Sequence, residues 1–196
     1  MPVVEPEHLD VIVEALLRGE IAAIPTDTIY GLAARADDEI AVRRLAESKR
    51  RDPQQPIAVL FDEVSVISSM IEQSDAFDRL ASFWPGALTI VVRARPRAFA
   101  LALTPDGTVG IRQPADDLAR EVIRRCGGVL AVTSANRHGE LPATSVEEVV
   151  AIFGGELHVL DGGERRGVAS TVVDLTCAPP KVLREGSLTA AQLGLV

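Results

Sequence analysis

Short aliphatic runs that open directly into hydroxyl and amide residues are the feature that most restricts this chain. Val129-Leu130-Ala131-Val132 leads into Thr133-Ser134-Ala135-Asn136, and Ile21-Ala22-Ala23-Ile24-Pro25 leads into Thr26-Asp27-Thr28-Ile29-Tyr30-Gly31. Aromatic residues make up only 4% of the chain, so Ala, Val, Leu and Ile must build the core. Such runs, separated by helical patterns, suit a parallel or mixed sheet covered on both faces. In open α/β sheets, ligands lie just outside the carboxyl ends of the strands. Polar strand ends are therefore where a site is sought.

Helix and strand patterns alternate almost throughout. His8 to Arg18 reads as a helix, with Leu9, Ile12, Val13, Leu16 and Leu17 inward and Gly19 at its end. Asp37 or Asp38 caps a second helix to about Lys49, with Ile40, Leu45 and Ala46 inward. Helices over about 63–72 and 75–83 stop at Trp84-Pro85-Gly86. Asp116 to Arg125 is stopped by Gly127-Gly128, and Ser145 to Phe153 carries Glu148 at capping-box spacing. A last short helix is expected near 189–193. Strands are expected at 21–25, 57–61, 88–93, 109–112, 129–132, 157–160, 171–175 and 182–184, with a glycine-rich loop at 161–168. No repeat, low-complexity tract or linker interrupts the pattern. The expected architecture is a single α/β domain over residues 1–196, an open, twisted, mixed parallel and antiparallel sheet with flanking helices.

A net charge of −8 argues against a general nucleic-acid binder that relies on a basic surface, while leaving room for a local cationic groove. Cys126 and Cys177 have no C-x-x-C partner, so neither a disulfide framework nor a zinc site is implied. No secretory leader and no apolar run of membrane-spanning length is evident, which gives a cytoplasmic protein as the expectation.

Several segments carry chemistry. Thr26 and Thr28 can hydrogen-bond a polar ligand without a charge to desolvate, although the same residues form self-bonded turns. Lys49-Arg50-Arg51 ends a helical pattern, where cations complement the helix dipole and can also hold phosphates; Pro53 and Pro56 stiffen the adjoining loop. This is not a P-loop, because the glycine-rich cradle and Gly-Lys-Ser/Thr are missing. Arg112 ends a strand, where a guanidinium can grip a carboxylate or form an ion pair. Ser134 is not read as a nucleophile, since no G-x-S-x-G elbow surrounds it and His138 has no acidic orienter.

Taken in order, PTDTIYGL at 25–32, K-x-R at 49–51, SFWPGALTIVV at 82–92, VGIRQP at 109–114, TSAN at 133–136, STVVD at 170–174 and LREG at 183–186 resemble the YrdC-like family in its short, single-domain form. The resemblance implies an open α/β sheet with a concave, basic cavity. It implies a nucleotidyltransferase making threonylcarbamoyl-AMP and pyrophosphate from L-threonine, bicarbonate or CO2, and ATP. The threonylcarbamoyl group then passes to adenosine 37 of tRNA through transfer proteins. By motif position, Thr26, Arg112, Ser134 and Ser170 would bind threonine. Lys49 and Arg51 would be the catalytic cations on the ATP phosphates, with Gln55, Thr108, Asn136, Thr144 and Arg184 as further ATP ligands. Mg2+ would arrive with ATP rather than on a protein site.

Asp52, Leu60, Ala87, His138 and Ala169 depart from the family's usual residues. A noncatalytic module binding double-stranded RNA or tRNA, a scaffold subunit, and a paralogue with another carbamoyl substrate are the alternatives. Lys49 and Arg51, taken as exposed helix-end cations, are expected to contribute little stability.

Overall fold

In the computed structural model, which describes residues 3–49, 57–100, 103, 106–155, 157–165 and 167–195, the aliphatic runs pair into one sheet. Among the described residues it has ten strands: β1 (Val3–Val4), β2 (Ala22–Ile24), β3 (Gly31–Arg35), β4 (Ala58–Phe61), β5 (Leu88–Arg93), β6 (Thr108–Arg112), β7 (Val129–Ser134), β8 (His158–Leu160), β9 (Thr171–Asp174) and β10 (Lys181–Arg184). Their order is β1-β8-β2-β3-β7-β4-β6-β5-β9-β10. β4 runs parallel to β6 and β5 parallel to β9, whereas β3–β7, β4–β7, β5–β6 and β9–β10 are antiparallel. The sheet is mixed and open, as the sequence predicts.

Alternation along each strand divides the core between the two faces. Leu130 and Val132 of β7, Ala33 of β3, Ile24 of β2 and Leu60 of β4 share one apolar cluster. Helices α1 (Asp10–Leu17) and α5 (Asp117–Arg125) cover it through Ile12, Val13, Leu16, Ala119, Val122 and Ile123. The opposite face presents Ala131, Leu32, Ala34, Val59 and Phe61. It is covered by α2 (Glu39–Ser48), α3 (Val64–Ile67), α4 (Asp75–Ala81) and α6 (Val146–Phe153). Trp84 packs edge-on against Phe61 and Phe77 in that layer, and its indole N–H donates to Leu88 O at 2.7 Å.

Local chemistry explains the helix starts. Asp38, Asp116 and Ser145 each accept a backbone N–H from the first turn of α2, α5 and α6. In α6 the capping box is displaced by one residue, because the Glu148 carboxylate returns to Thr144 N at 2.6 Å.

Several expectations need correction. β3 is not foreseen: Gly31, Ala33 and Ala34 have weak strand propensity, and five paired positions with β7 override it. That pairing also extends β7 to Ser134. β1 is likewise unforeseen. Ile40 is 63% and Leu17 47% exposed; the inward stripe of α2 is instead Ala41, Val42, Leu45 and Ala46. The segment 190–194 forms turns rather than a helix. No helix among the described residues is long and apolar enough to cross a membrane.

Candidate functional site

The cluster beneath α1 and α5 reaches only as far as Leu60 of β4. Beyond it, β6, β5 and β9 contribute to the opposite apolar layer through Val109, Ile111, Leu88, Ile90, Val92 and Val173. The alternate residues, Thr108, Gly110, Arg112, Thr89, Val91, Val172 and Asp174, line a cavity of about 540 Å3 on the other side. Strand alternation thus places small and polar groups where no helical cover is supplied. Gly110 helps to keep the space open, since a Cβ there would stand 3.3 Å from Thr89 Cγ2.

The turn after β2 supplies one wall. Thr26 is buried and lines the cavity. Its hydroxyl also donates to Ile29 O at 2.7 Å and accepts from Thr28 N and Ile29 N. The self-bonded turn and the cavity wall are therefore the same structure. Tyr30, fully buried, donates to Gly163 O and accepts from Gly162 N, which ties the glycine-rich loop to this wall. Burial pushes the Tyr30 phenol above its ordinary value, with the Gly162 N–H opposing.

Lys49 differs from its expectation as an exposed cation. It is only 3% exposed, and Nζ donates to Ser134 O, to Ser134 Oγ at 2.9 Å and to Asn136 Oδ1 at 2.8 Å. Packing of the α2 C-terminus against the end of β7 removes it from solvent, which sequence spacing does not reveal. Asn136 is a bracket: it accepts from Ser134 Oγ at 2.6 Å and donates to Arg137 O and Glu140 O. Ser134 lines the cavity; Asn136 and Lys49 stand directly behind it.

Arg112 lines the cavity with its guanidinium already engaged. Nη2 pairs with Asp27 Oδ1 at 2.6 Å, Nη1 donates to Thr28 Oγ1 at 3.0 Å, and Nε donates to Gly86 O at 2.9 Å. Burial pushes its pKa down, and the Asp27 carboxylate pushes it back up. Across the cavity, Ser170 Oγ and Thr89 Oγ1 lie 2.8 Å apart, and Arg184 donates to Ser170 O at 2.9 Å. Thr108 lines the cavity but donates to Asp106 Oδ1 at 2.7 Å; the Thr108 side-chain and backbone bonds hold the Asp106 carboxyl below the usual range. With Asp106 and Asp174 beside Arg112 and Arg184, the described lining carries both signs of charge.

Thr26, Thr108, Arg112, Ser134, Ser170 and Arg184 are thus brought to one cavity from separate segments of the chain. Thr144 is not: it lies outside the lining, its hydroxyl donating to Glu148 Oε2 at 3.0 Å. Arg51 and Gln55, with Asp52, fall outside the described residues. Sequence reasoning missed Thr89 as a site residue. The alternation Leu88-Thr89-Ile90-Val91-Val92 carried that signal, since a lone threonine in an apolar strand marks the face opposite the core. It also missed Asp27, whose partner lies 85 residues away.

Comparison with known proteins identifies the family. The Sua5/YciO/YrdC family pattern, described as "Telomere recombination", matches residues 14–186. A Pyrococcus abyssi protein named threonylcarbamoyl-AMP synthase is 38% identical over 183 residues, covering 89% of this chain and 53% of its own length. A Mycobacterium tuberculosis protein named putative threonylcarbamoyl-AMP synthase is 35% identical, covering 94% of this chain and 86% of that one. The chain therefore spans about half the length of the archaeal relative and most of the mycobacterial one. The structure of P. abyssi Sua5 complexed with L-threonine superposes with a TM-score of 0.94 at 32% identity, over 98% of this chain and 60% of that one. Escherichia coli YciO shares the fold, with a TM-score of 0.88 at 21% identity and 97% coverage of both chains. With the ordered motifs, the sheet and the matched span in agreement, the chain belongs to the Sua5/YciO/YrdC family.

Proposed function

We propose that this protein is a threonylcarbamoyl-AMP synthase, forming threonylcarbamoyl-adenylate and pyrophosphate from L-threonine, CO2 or bicarbonate, and ATP. The observation that carries the reading is the single cavity lined by Thr26, Arg112, Ser134 and Ser170, with Arg184 and Thr108 in the same wall. Relatives named for this activity, and a Sua5 structure complexed with L-threonine, support it.

In this reading the threonine carboxylate meets Arg112, and its hydroxyl meets the Thr89–Ser170 side. The amine, losing a proton, adds to CO2 and gives a carbamate. A carbamate oxygen attacks the α-phosphorus of ATP, and pyrophosphate leaves. No covalent enzyme intermediate is needed; the protein aligns two anions and supplies positive charge. Lys49, held by Ser134 and Asn136, offers one such charge beside the cavity. Arg51 and Gln55 would add to it, with Asn136 and Thr144 as outer supports.

The described residues include no grouping of three or more His, Cys, Asp or Glu arranged to hold a metal. Ser134 is surrounded by the Asn136 amide oxygen and the Lys49 ammonium, and in this reading Mg2+ would arrive on the ATP phosphates, where it neutralises phosphate charge. Transfer to tRNA through partner proteins, in the cytoplasm, belongs to the same proposal.

The test incubates the protein with ATP, L-threonine, bicarbonate and pyrophosphatase, and follows the labile adenylate by chromatography and mass spectrometry. Threonine-dependent adenylate and pyrophosphate are expected. Their absence, together with salt-sensitive binding of double-stranded RNA, would replace the reading by a noncatalytic RNA-binding one.

A further inference from the structure

Asp27 does not line the cavity, yet it makes the ionic contact that holds a cavity residue in place. Its Oδ1 accepts from Arg112 Nη2 at 2.6 Å and from Ala115 N at 3.0 Å. The two side chains, Arg112 and Asp27, are 7% and 17% exposed, so the pair is shielded from water. Arg112 is also pinned by Gly86 O through Nε and by Thr28 Oγ1 through Nη1. These three contacts use three of the five guanidinium N–H bonds. Because they come from two loops on either side of β6, they determine the plane in which the remaining N–H bonds lie.

The turn that carries Asp27 is itself braced from its other side. Arg165 Nη1 pairs with Asp116 Oδ2 at 2.7 Å and reaches Thr26 O at 3.4 Å. Asp116 meanwhile caps α5 through Ala119 N at 2.8 Å. Two shielded ion pairs thus link the segments 26–30, 112–116 and 161–165. A carboxylate held so firmly is suited to orienting a cation.

We propose that Asp27 is a positioning residue: it sets the orientation of the Arg112 guanidinium and thereby the affinity for the substrate carboxylate. This rests on the functional reading above, in which Arg112 receives that carboxylate. Without the Asp27 charge, a desolvated guanidinium loses its counter-ion, and one of its three anchors is reduced to a bond with a neutral amide oxygen that Ala115 N also uses. It would then share its N–H bonds among nearby carbonyls instead of presenting them to the cavity.

Asp27→Asn retains the size and an oxygen for Ala115 N while removing the charge. The apparent KM for L-threonine is expected to rise by about 10- to 100-fold, the scale set by an ångström-level misplacement of a binding group. The KM for ATP should not move, and kcat should fall less than kcat/KM for threonine. Asp27→Glu keeps the charge and should lie between the wild type and Asp27→Asn; should Asp27→Asn fail to fold, it carries the same test. A second readout needs no substrate. Exchange of the Arg112 Nε proton with solvent, followed by nitrogen-edited NMR, should be slow in the wild type and faster in either variant. Equal rises in both KM values, an unchanged threonine KM, or unchanged exchange would overturn the proposal. If the wild type forms no threonine-dependent adenylate, the functional reading fails, and proton exchange alone decides whether Asp27 positions Arg112.

Discussion

Replacing Lys49 separates the contribution of its stem from that of its charge. The side chain is 3% exposed, so truncation to alanine removes three buried methylenes worth about 0.8 kcal/mol each. Loss of the ammonium leaves Ser134 O and Asn136 Oδ1 with other donors. Ser134 O still accepts from Asn136 N at 3.0 Å, and Asn136 Oδ1 still accepts from Ser134 Oγ at 2.6 Å. The lost charge-assisted bonds are also offset by the desolvation that a buried cation no longer incurs. Lys49→Ala should therefore cost about 2–3 kcal/mol, or about 5–10 °C in Tm for a chain of this size. Lys49→Met, which refills most of the space, should cost less than about 1.5 kcal/mol. Both variants should lose adenylate formation by about 100-fold or more, the scale of one preorganised charge at a transferring phosphoryl group. Thermal unfolding and the coupled adenylate assay, run on both, give the answer. A fully stable Lys49→Ala would refute the buried placement, and a fully active Lys49→Met would refute use of the charge.

Two further perturbations probe the walls of the cavity. Tyr30 is the chain's only tyrosine, so its phenolate absorbance reports this residue alone. Its pKa is raised by burial, so its contribution is intact below the ordinary value of 10.0 and is lost as pH rises through the folded value. Tyr30→Phe should cost about 1–3 kcal/mol near neutrality, because Gly162 N and Gly163 O lose their partner, and it should flatten the alkaline fall in the urea midpoint. An unchanged alkaline slope in Tyr30→Phe would count against this. Gly186→Ala would place a Cβ 2.2 Å from Ala169 O and 2.6 Å from Ser170 C. Displacement of Ser170 should lower Tm and raise the threonine KM together; a variant indistinguishable from wild type in both would show that the backbone yields without cost.

Elements governed by near neighbours along the chain are legible in the sequence. Strand β5 is foreseen at its observed limits, 88–93, and Asp116 and Ser145 are foreseen as helix starts. Two-residue alternation and capping bonds involve atoms a few residues apart, so the order of residues preserves their signal. The ordered motifs also identify which segments belong together, because several specific matches in succession are far harder to meet by chance than one.

Contacts between distant segments are not legible in this way. β3 looks like loop in isolation, and pairing on both edges, with β2 on one side and the distant β7 on the other, makes it a strand. Lys49 resembles a solvated helix-end cation until β7 closes over it, and the bond from the Thr144 hydroxyl to Glu148 is set by the start of α6 rather than by the motif around it. Asp27 and Arg112 meet because the sheet order places β4 and β7 between β6 and β3, with the turn before β3 folding back over them. The chain by itself determined the repertoire of elements and the residue types available for chemistry. Tertiary structure decided which of those residues are buried, paired or open to the cavity, because burial and ion pairing depend on distances that strand order sets and sequence separation does not encode.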